Sequence, residues 1–381
     1  MLRWKNTVMV LAAAAACTAG CCREDTETNA LFTIRSAEIK PGLSAAANGG
    51  QRVAVAVQSD AGVSVVVDGV QADTQYERVW QPVFSTDGKS LAFGAYVAGK
   101  WFVVRNGKKA SKEYEGGGTP VFSPDGRSLA FAARAGGKSF VIRDGKQQAG
   151  RYDDVGTPVF SPDGKSLAFR ASANGHQFII HNGRRVADEY SITEQPVFSP
   201  DGSSLAFAAQ KEKEWFIVRD GKHVGPDYEL GPMGWIAHLT FSPDGRSIAF
   251  LVRKETKFFV VKDFARIGED YDAARRPVYS PDSRLLVFPA SVGTSWFLVK
   301  NGSRQSVGEG VNEIRRPLFS PNGRSLAFWA RSGSRWFVVK DGARLAGDYD
   351  RPLALTTTRD GTRLSVLAVR GSSVCQTKEP W

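Results

Sequence analysis

A twelve-residue phrase of the form Pro-Val-Phe-Ser-Pro-Asp-Gly-x-Ser-Leu-Ala-Phe recurs along this 381-residue chain. Clear and weaker copies begin at Pro82, Pro120, Pro158, Pro196, Leu239, Pro277, Pro317 and Leu355. Each copy carries an acidic or amide turn residue, at Asp87, Asp125, Asp163, Asp201, Asp244, Asp282, Asn322 and Asp360. Successive turn residues are 38 to 43 residues apart. A fixed period of this length is typical of repeat architectures, so the repeat constrains the fold before any other feature does.

Each unit contains four strand-like segments. In residues 120–157, the segments PVFS and SLAFAAR flank Asp125-Gly126, and a dipeptide of this type between apolar runs is a strong hairpin signal. The segment KSFVIRD follows, and a short fourth segment ends near Tyr152. Four short strands per unit of about 40 residues predict an all-β chain that forms a single β-propeller of four-stranded blades.

The number of blades is less tightly constrained than the fold class. Eight clear turns favour eight blades, with seven or nine as alternatives. A weaker copy at Asn48-Gly49 and strand-like residues 364–379 suggest that both ends complete one shared blade and close the ring. We therefore predict a propeller over residues 43–370 and a closing strand or tail over 371–381.

The Ser-Pro-Asp-Gly turn followed by a Leu-Ala-Phe strand resembles the repeat of TolB-type propellers, which are WD-repeat-like without the Trp-Asp dipeptide. The resemblance covers residues 43–370 and implies partners such as peptidoglycan-associated lipoproteins. No TolB partner-binding motif can be mapped onto this chain. TolB-like repeats also accompany hydrolase domains, but no Gly-x-Ser-x-Gly nucleophile elbow occurs here. The repeat specifies the fold and leaves the function open.

Residues 1–20 have the features of a secretory signal peptide, with basic Arg3 and Lys5 before an Ala-rich apolar run. The tetrad Thr18-Ala19-Gly20-Cys21 resembles a bacterial lipobox, which implies cleavage before Cys21 and lipidation of its thiol. Thr18 departs from the usual aliphatic residue, and Cys17 is a competing site. A plain signal peptide and an uncleaved anchor are the alternatives. Residues 21–42 are then a lipidated tether and lead-in segment.

These features predict a lipid-anchored protein of the bacterial cell envelope that faces the periplasm, with the outer membrane favoured. The net charge of +11 becomes +9 when the leader leaves with Arg3 and Lys5. An oxidising periplasm permits a disulfide between Cys22 and Cys375, although the lipid beside Cys22 favours two unpaired thiols. The basic charge suits anionic headgroups or an acidic partner, whereas nucleic acid is not expected for a secreted chain.

Most residues that recur once per blade are interpreted as structural. Aromatic pairs at the start of the third strand predict wedges between blades, and the Tyr that precedes most turns predicts a packing device. The turn acids are too far apart to form one ligand-rich loop, so turn chemistry explains them better than calcium. The pairs and tyrosines are Trp101-Phe102, Trp215-Phe216, Phe258-Phe259, Trp296-Phe297, Trp336-Phe337, Tyr76, Tyr114, Tyr152, Tyr190, Tyr228, Tyr271 and Tyr349.

Departures from the repeat are better candidates for function, because packing does not demand them. Directly before the first strand, three successive units carry His238, Arg276 and Arg316, with Arg275 and Arg315 beside them. The first strand is the innermost one, so we expect these cations to meet at one mouth of the channel and to hold a carboxylate or phosphate. The alternative is that they pair with acids of the fourth strands.

A second departure is the insertion Gly231-Pro232-Met233-Gly234-Trp235, where Met233 and Trp235 form a candidate partner-binding loop. The leading hypothesis is a non-enzymatic, membrane-tethered monomer that binds another envelope protein, with no catalytic residue, metal or cofactor. The alternatives are a propeller-type lyase or cyclase and a sensor of small anionic ligands that uses the channel mouth. The four His occupy different repeat positions, which disfavours the metal cluster that such lyases use.

Overall fold

The repeated phrase folds into a turn whose side chains bind its own backbone. In the unit that begins at Pro120, Ser123 Oγ donates to Asp125 Oδ1 over 2.5 Å, and Asp125 Oδ1 also accepts a hydrogen bond from the N–H of Arg127 at 3.1 Å. The N–H of Ser128 donates to Ser123 Oγ at 2.9 Å. Gly126 has a φ of +71°, where a side chain would be strained. The turn acids therefore have the structural role expected of them.

These turns connect the strands of a propeller. The structure, a computed structural model, describes residues 28–33, 38–47, 51–72, 74–345 and 347–381. In this part of the chain, nine antiparallel sheets follow one another, and each is a blade of four strands when the two pieces of a split inner strand count as one. We label the strands of each blade a to d, from the innermost to the outermost.

The strands of blades 1 to 3 are Glu38–Ala47, Arg52–Ser59, Gly62–Val67 and Val70–Gln71; Arg78–Val79 with Val83–Phe84, Leu91–Val97, Lys100–Arg105 and Lys108–Lys109; and Gly116–Gly117 with Val121–Phe122, Leu129–Ala135, Lys138–Arg143 and Lys146–Tyr152. Those of blades 4 to 6 are Asp154–Val155 with Val159–Phe160, Leu167–Ala173, His176–His181 and Arg184–Tyr190; Ile192–Thr193 with Val197–Phe198, Leu205–Lys211, Glu214–Arg219 and Lys222–Glu229; and Trp235–Phe241, Ile248–Lys254, Lys257–Lys262 and Ala265–Tyr271. Those of blades 7 to 9 are Ala273–Ala274 with Val278–Tyr279, Leu286–Val292, Ser295–Lys300 and Ser303–Gln305; Val311–Phe319, Leu326–Ser332, Arg335–Lys340 and Ala343–Arg344; and Arg351–Thr357, Arg363–Arg370, Ser373–Pro380 and Thr28–Thr33.

The ninth blade joins the two ends of the chain. Its strand d is Thr28–Thr33, which pairs antiparallel with Ser373–Pro380 in a register that includes Ala30 opposite Cys375. This shared blade agrees with the expected closure, and its strands extend beyond residues 43–370 on both sides. Because the outer strand comes from the start of the chain, the ring is held closed by backbone hydrogen bonds rather than by a loop.

The favoured count of eight blades was wrong, and the alternative of nine is observed. The residues after the weak copy at Asn48-Gly49 form a complete blade with Glu38–Ala47, in which Arg52–Ser59 and Gly62–Val67 are a buried hairpin. This unit lacks the Ser and Asp of the repeated turn, so its phrase is hard to detect. Its alternating valines still indicate a buried strand, since β-branched side chains suffice to pack a strand between two blades.

Among the residues that the structure describes, nine hydrophobic clusters alternate with the nine blades, and each cluster is formed by two neighbouring blades. The cluster that closes the ring joins Val53 and Val55 of blade 1 to Leu353 and Leu367 of blade 9. The apolar stabilisation is therefore spread around the ring.

The recurring aromatic side chains lie in these clusters. Trp101 is fully buried, and Trp215 and Trp336 are nearly so, whereas Trp296 and Phe258 are partly exposed. Six of the seven tyrosines meet phenylalanine rings edge to face, as Tyr190 does with Phe207 at a centroid distance of 5.9 Å, and Tyr349 meets the Trp329 ring in the same way. Burial raises the pKa of the Tyr190 hydroxyl. Both sets of aromatic residues therefore serve as packing devices.

The turn aspartates predict a stability that declines in acid. The hydrogen bond from the turn Ser or Thr, followed by those from backbone N–H groups, lowers the pKa of all seven, and that of Asp201 and Asp360 falls to about 2. A lowered pKa in the folded state stabilises the fold above the unfolded value of about 3.9, and this contribution is lost as the pH falls towards 2. We expect the melting temperature to fall across this window.

A matched variant separates the stability contribution of the turn aspartates from that of the other carboxylates. Asn322 already replaces the acid in blade 8 and accepts the same bonds, from Ser320 Oγ at 2.7 Å and from the N–H of Arg324 at 3.0 Å. Between pH 4 and pH 2, the melting temperature of the double variant Asp201→Asn with Asp360→Asn should therefore fall less than that of the parent protein. Identical losses in the variant and the parent protein would contradict the prediction.

The predicted leader, Cys21 and Cys22 lie outside the described residues, so the predictions of lipidation and of a disulfide are not tested. Cys375 is buried within the closing blade. Among the residues that the structure describes, no helix has the length and apolar character needed to cross a membrane.

Candidate functional site

The predicted cations lie midway along strand a of three consecutive blades. The position six residues before the turn acid holds Gln81, Thr119, Thr157 and Gln195 in blades 2 to 5, and His238, Arg276 and Arg316 in blades 6 to 8. These three side chains are exposed, although their strands are the innermost of the ring. The central channel supplies the solvent that they contact. We call His238, Arg275, Arg276, Arg315 and Arg316 the basic arc.

The backbone at two of these positions is unusual. His238 has a φ of 57° and Arg316 a φ of 51°, both in the left-handed region that residues with side chains rarely adopt. Each falls at a break in strand pairing, between Ala237 and Thr240 and between Arg315 and Leu318. Bulges of this kind redirect side chains and are common beside functional sites.

A buried carboxylate organises part of the arc. Glu313 is only 6% exposed, and its Oε1 accepts hydrogen bonds from Arg275 Nη2 at 3.0 Å and Arg315 Nε at 2.5 Å. Arg331, on strand b of blade 8, lies 3.2 Å from the other carboxylate oxygen. Arg275 and Arg315 therefore pair with an acid, as in the alternative interpretation of the cations. The acid, however, belongs to strand a and not to strand d.

The same arginines also lie over tryptophan rings. Arg275 is 5.3 Å from the ring centroid of Trp296, and Arg315 is 4.9 Å from that of Trp336. Cation–π contact and the shared carboxylate together fix the two guanidinium groups. Arg275 and Arg315 therefore form a rigid support within the arc.

The remaining members of the arc are more available. Arg316 donates from Nη1 to the carbonyl of Leu353 at 2.9 Å, which leaves its other donors open to the channel. Among the described residues, Arg276 has no hydrogen bond or ion pair. Desolvation lowers the pKa of the His238 imidazole, and the charges of Arg276 and Arg275 lower it further. Although solvent still reaches His238, the surrounding channel wall therefore favours the neutral ring at neutral pH.

The arc has the chemistry of an anion site. Together with Arg331 it contains five guanidinium groups, and Glu313 is the carboxylate that pairs with three of them. A carboxylate or phosphate would find the donors of Arg276 and Arg316 on neighbouring blades, where guanidinium groups recognise such anions through paired hydrogen bonds.

The two residues of the predicted loop differ in exposure. Met233 is 64% exposed. Trp235 is partly buried, packs against the clusters on both sides of blade 6 and meets the Phe258 ring edge to face at 5.9 Å. Met233 can therefore contact a partner, whereas Trp235 mainly anchors the start of the strand that carries His238.

Three of the four histidines replace cations of the repeat. His223 stacks on Phe216 at 4.4 Å and pairs with Asp227, as Arg266 covers Phe259 and pairs with Asp270 in the next blade. His181 and His176 stand where neighbouring blades have the cations Arg143 and Lys138. The described residues include no group of three or more His, Cys, Asp or Glu side chains that could hold a metal ion.

Sequence reasoning missed four charged residues of the channel wall. Glu313 and Arg331 complete the basic arc, and Glu194 and Arg170 face a separate cavity between blades 4 and 5. Glu194 could have been found, because it occupies the same repeat position as Arg275 and Arg315. Glu313 had no such signal, since its repeat position varies from Gly to Arg among the blades.

The sequence matches no protein-family model and no curated protein. Among solved structures, a eukaryotic initiation factor aligns over 84% of this chain and 90% of that chain, with a TM-score of 0.55 and 12% identity. Puromycin hydrolase aligns over 78% and 59%, with a TM-score of 0.42 and 15% identity. Oligogalacturonate lyase in complex with manganese aligns over 91% and 98%, with a TM-score of 0.42 and 14% identity. These likenesses concern the propeller fold alone.

Proposed function

We propose that this chain is a non-enzymatic, TolB-like propeller of the bacterial cell envelope, which binds an anionic group of an envelope partner protein at the basic arc. One observation carries the proposal. Five guanidinium groups and a histidine are concentrated in three consecutive blades, at positions where other blades carry mostly small or neutral residues. A packed propeller does not need this concentration of like charge. Glu313 pairs with three of the five guanidinium groups, and an anionic ligand would compensate the other two.

The leader and the lipobox-like tetrad support the envelope location, because cleavage before a lipidated Cys21 would put the propeller on a tether at a membrane. Exposed Met233 lies two residues before strand a of blade 6, which carries His238, and offers an apolar contact to the same partner. The TolB-type resemblance of the repeat agrees with a role in protein binding.

A sensor of small anionic ligands is the second candidate, because Arg276 and Arg316 would suit a free dicarboxylate or phosphate equally well. The lyase or cyclase alternative has less support, since His181 and His223 make the ring contacts and ion pair of the repeat.

The experiment is a pull-down from envelope membranes with the tethered protein and with an Arg276→Glu variant. Because Arg276 has no partner among the described residues, its reversal should leave the fold intact and abolish recovery of a stoichiometric partner. The matched control Lys108→Glu reverses an exposed charge at the start of strand d of blade 2, and should retain the partner.

Three outcomes distinguish the candidates. Loss of the partner only in the Arg276→Glu variant supports the proposal. Recovery of no partner, together with saturable succinate binding that Arg276→Glu removes, supports the small-ligand sensor. Equal partner recovery by both variants would show that the arc is not the binding site.

A further inference from the structure

The channel wall between blades 4 and 5 contains a second, smaller group of charged residues. A cavity of about 380 Å³ lies between their inner strands and is lined by residues that include Thr157, Arg170, Glu194 and Gln195. One water occupies about 30 Å³, so the cavity can hold a side chain or a small ligand. None of its lining residues belongs to the basic arc.

Both charged residues of this cavity are departures from the repeat. In blades 2 to 8, the strand b position of Arg170 otherwise holds Gly94, Ala132, Ala208, Leu251, Pro289 and Trp329. The position of Glu194 holds Gly118, Gly156 and Ala237 in blades 3, 4 and 6, and arginines of the basic arc in blades 7 and 8. Arg170 packs over Gly156, where a Cβ would lie 3.6 Å from the Arg170 Nε, an ordinary van der Waals distance. Packing therefore does not explain why these blades carry charges.

The two charges do not satisfy each other. Arg170 lies 3.6 Å from a carboxylate oxygen of Asp154, which is an ion pair within blade 4. The Glu194 carboxylate has no hydrogen bond or ion pair among the described residues, although its residue is only partly exposed. Burial accordingly raises its pKa, and the charge of Arg170 opposes this shift. A partly desolvated carboxylate without donors is costly unless a ligand supplies them.

We propose that this cavity binds an ammonium or guanidinium group through the Glu194 carboxylate. Asp154 lies outside the cavity lining and pairs with Arg170, so the Glu194 carboxylate is left as the unpaired charge of the lining and favours a cation. Thr157 and Gln195 provide further acceptors on either side. If the basic arc binds an anionic group as proposed above, the channel is bipolar, and its occupant carries both a basic and an acidic group.

The test uses agmatine, which carries an ammonium and a guanidinium group, and isothermal titration of the mature chain. The variant Glu194→Gln should weaken agmatine binding at least tenfold, because the amide cannot compensate a cation. The variant Arg170→Ala, which restores the residue of blades 3 and 5, should tighten it, because a repelling charge is removed. A neutral amide ligand would respond to Arg170→Ala in the opposite direction, since it needs the guanidinium donor.

Two further measurements identify the source of the bound cation and separate this proposal from the one about the basic arc. Binding of the peptide acetyl-Gly-Lys-Gly-amide would identify a lysine side chain of a partner as an acceptable source, whereas binding of agmatine alone would identify a free amine. Arg276→Glu should not weaken agmatine binding, so failure of the basic arc leaves this result unaffected. No saturable agmatine binding to the parent protein, or equal binding by Glu194→Gln with an unchanged melting temperature, would overturn the inference.

Discussion

Replacing Trp101 with alanine is expected to lower the free energy of unfolding by about 3–5 kcal/mol, the range for truncation of a fully buried large aromatic residue. Trp101 has no exposed surface and lies between blades 2 and 3, where its ring centroid is 5.5 Å from that of Phe131. Urea unfolding followed by circular dichroism measures the change without relying on tryptophan fluorescence.

Trp296 provides the matched control, because it occupies the same repeat position in blade 7 and is partly exposed. Trp296→Ala should lower the free energy of unfolding clearly less than Trp101→Ala, since it removes less buried apolar area. A second variant adds an atom against the Trp101 ring instead of removing the ring. A Cβ added to Gly117 would lie 2.5 Å from the Trp101 ring, so Gly117→Ala should also destabilise the fold. Equal losses for the two tryptophans would contradict the assignment of Trp101 as the wedge.

Replacing Glu313 with glutamine is expected to cost about 2–3 kcal/mol. Removing one member of a buried ion pair leaves its partners uncompensated and costs about 3–5 kcal/mol, and partial solvation of the three arginines reduces this value. The side chains of Arg275 and Arg315 each retain 48% of their exposure. Added salt should narrow the difference from the parent protein, because it screens the repulsion between guanidinium groups.

The control for Glu313 is Asp348, which pairs with Arg344 on the surface, where both side chains are about half exposed. Asp348→Asn should change the free energy of unfolding by less than about 1 kcal/mol. If Glu313→Gln and Asp348→Asn had the same small effect, Glu313 would not be the organising group of the basic arc.

The fold class could be predicted from the sequence because the repeat encodes local events. An Asp-Gly turn determines where two strands reverse, and alternation of apolar residues determines which strands are buried, as in Leu129–Ala135. The number of blades was harder to predict, because the first blade keeps buried valines such as Val55 but has lost the turn residues. Counting turns therefore gave one blade too few.

The candidate site could be predicted in part. The cations of the basic arc were found because they break the repeat, and the structure places His238 within the electrostatic range of Arg275 and Arg276. Whether each cation is satisfied could not be read from the chain. Glu313 lies 38 residues from Arg275, and only the juxtaposition of blades 7 and 8 brings the two into contact.

The sequence by itself determined the strands, their turns and the propeller class, since these depend on residues close together in the chain. The tertiary structure decided that there are nine blades rather than eight. It also decided which arginines of the basic arc are supported and which are available, and it left the charge of Glu194 unpaired. These features depend on contacts between blades, where the distance along the chain is about one repeat or, at the closing blade, almost the whole chain. Such contacts form only when the ring closes, because each blade then has a neighbour on both sides.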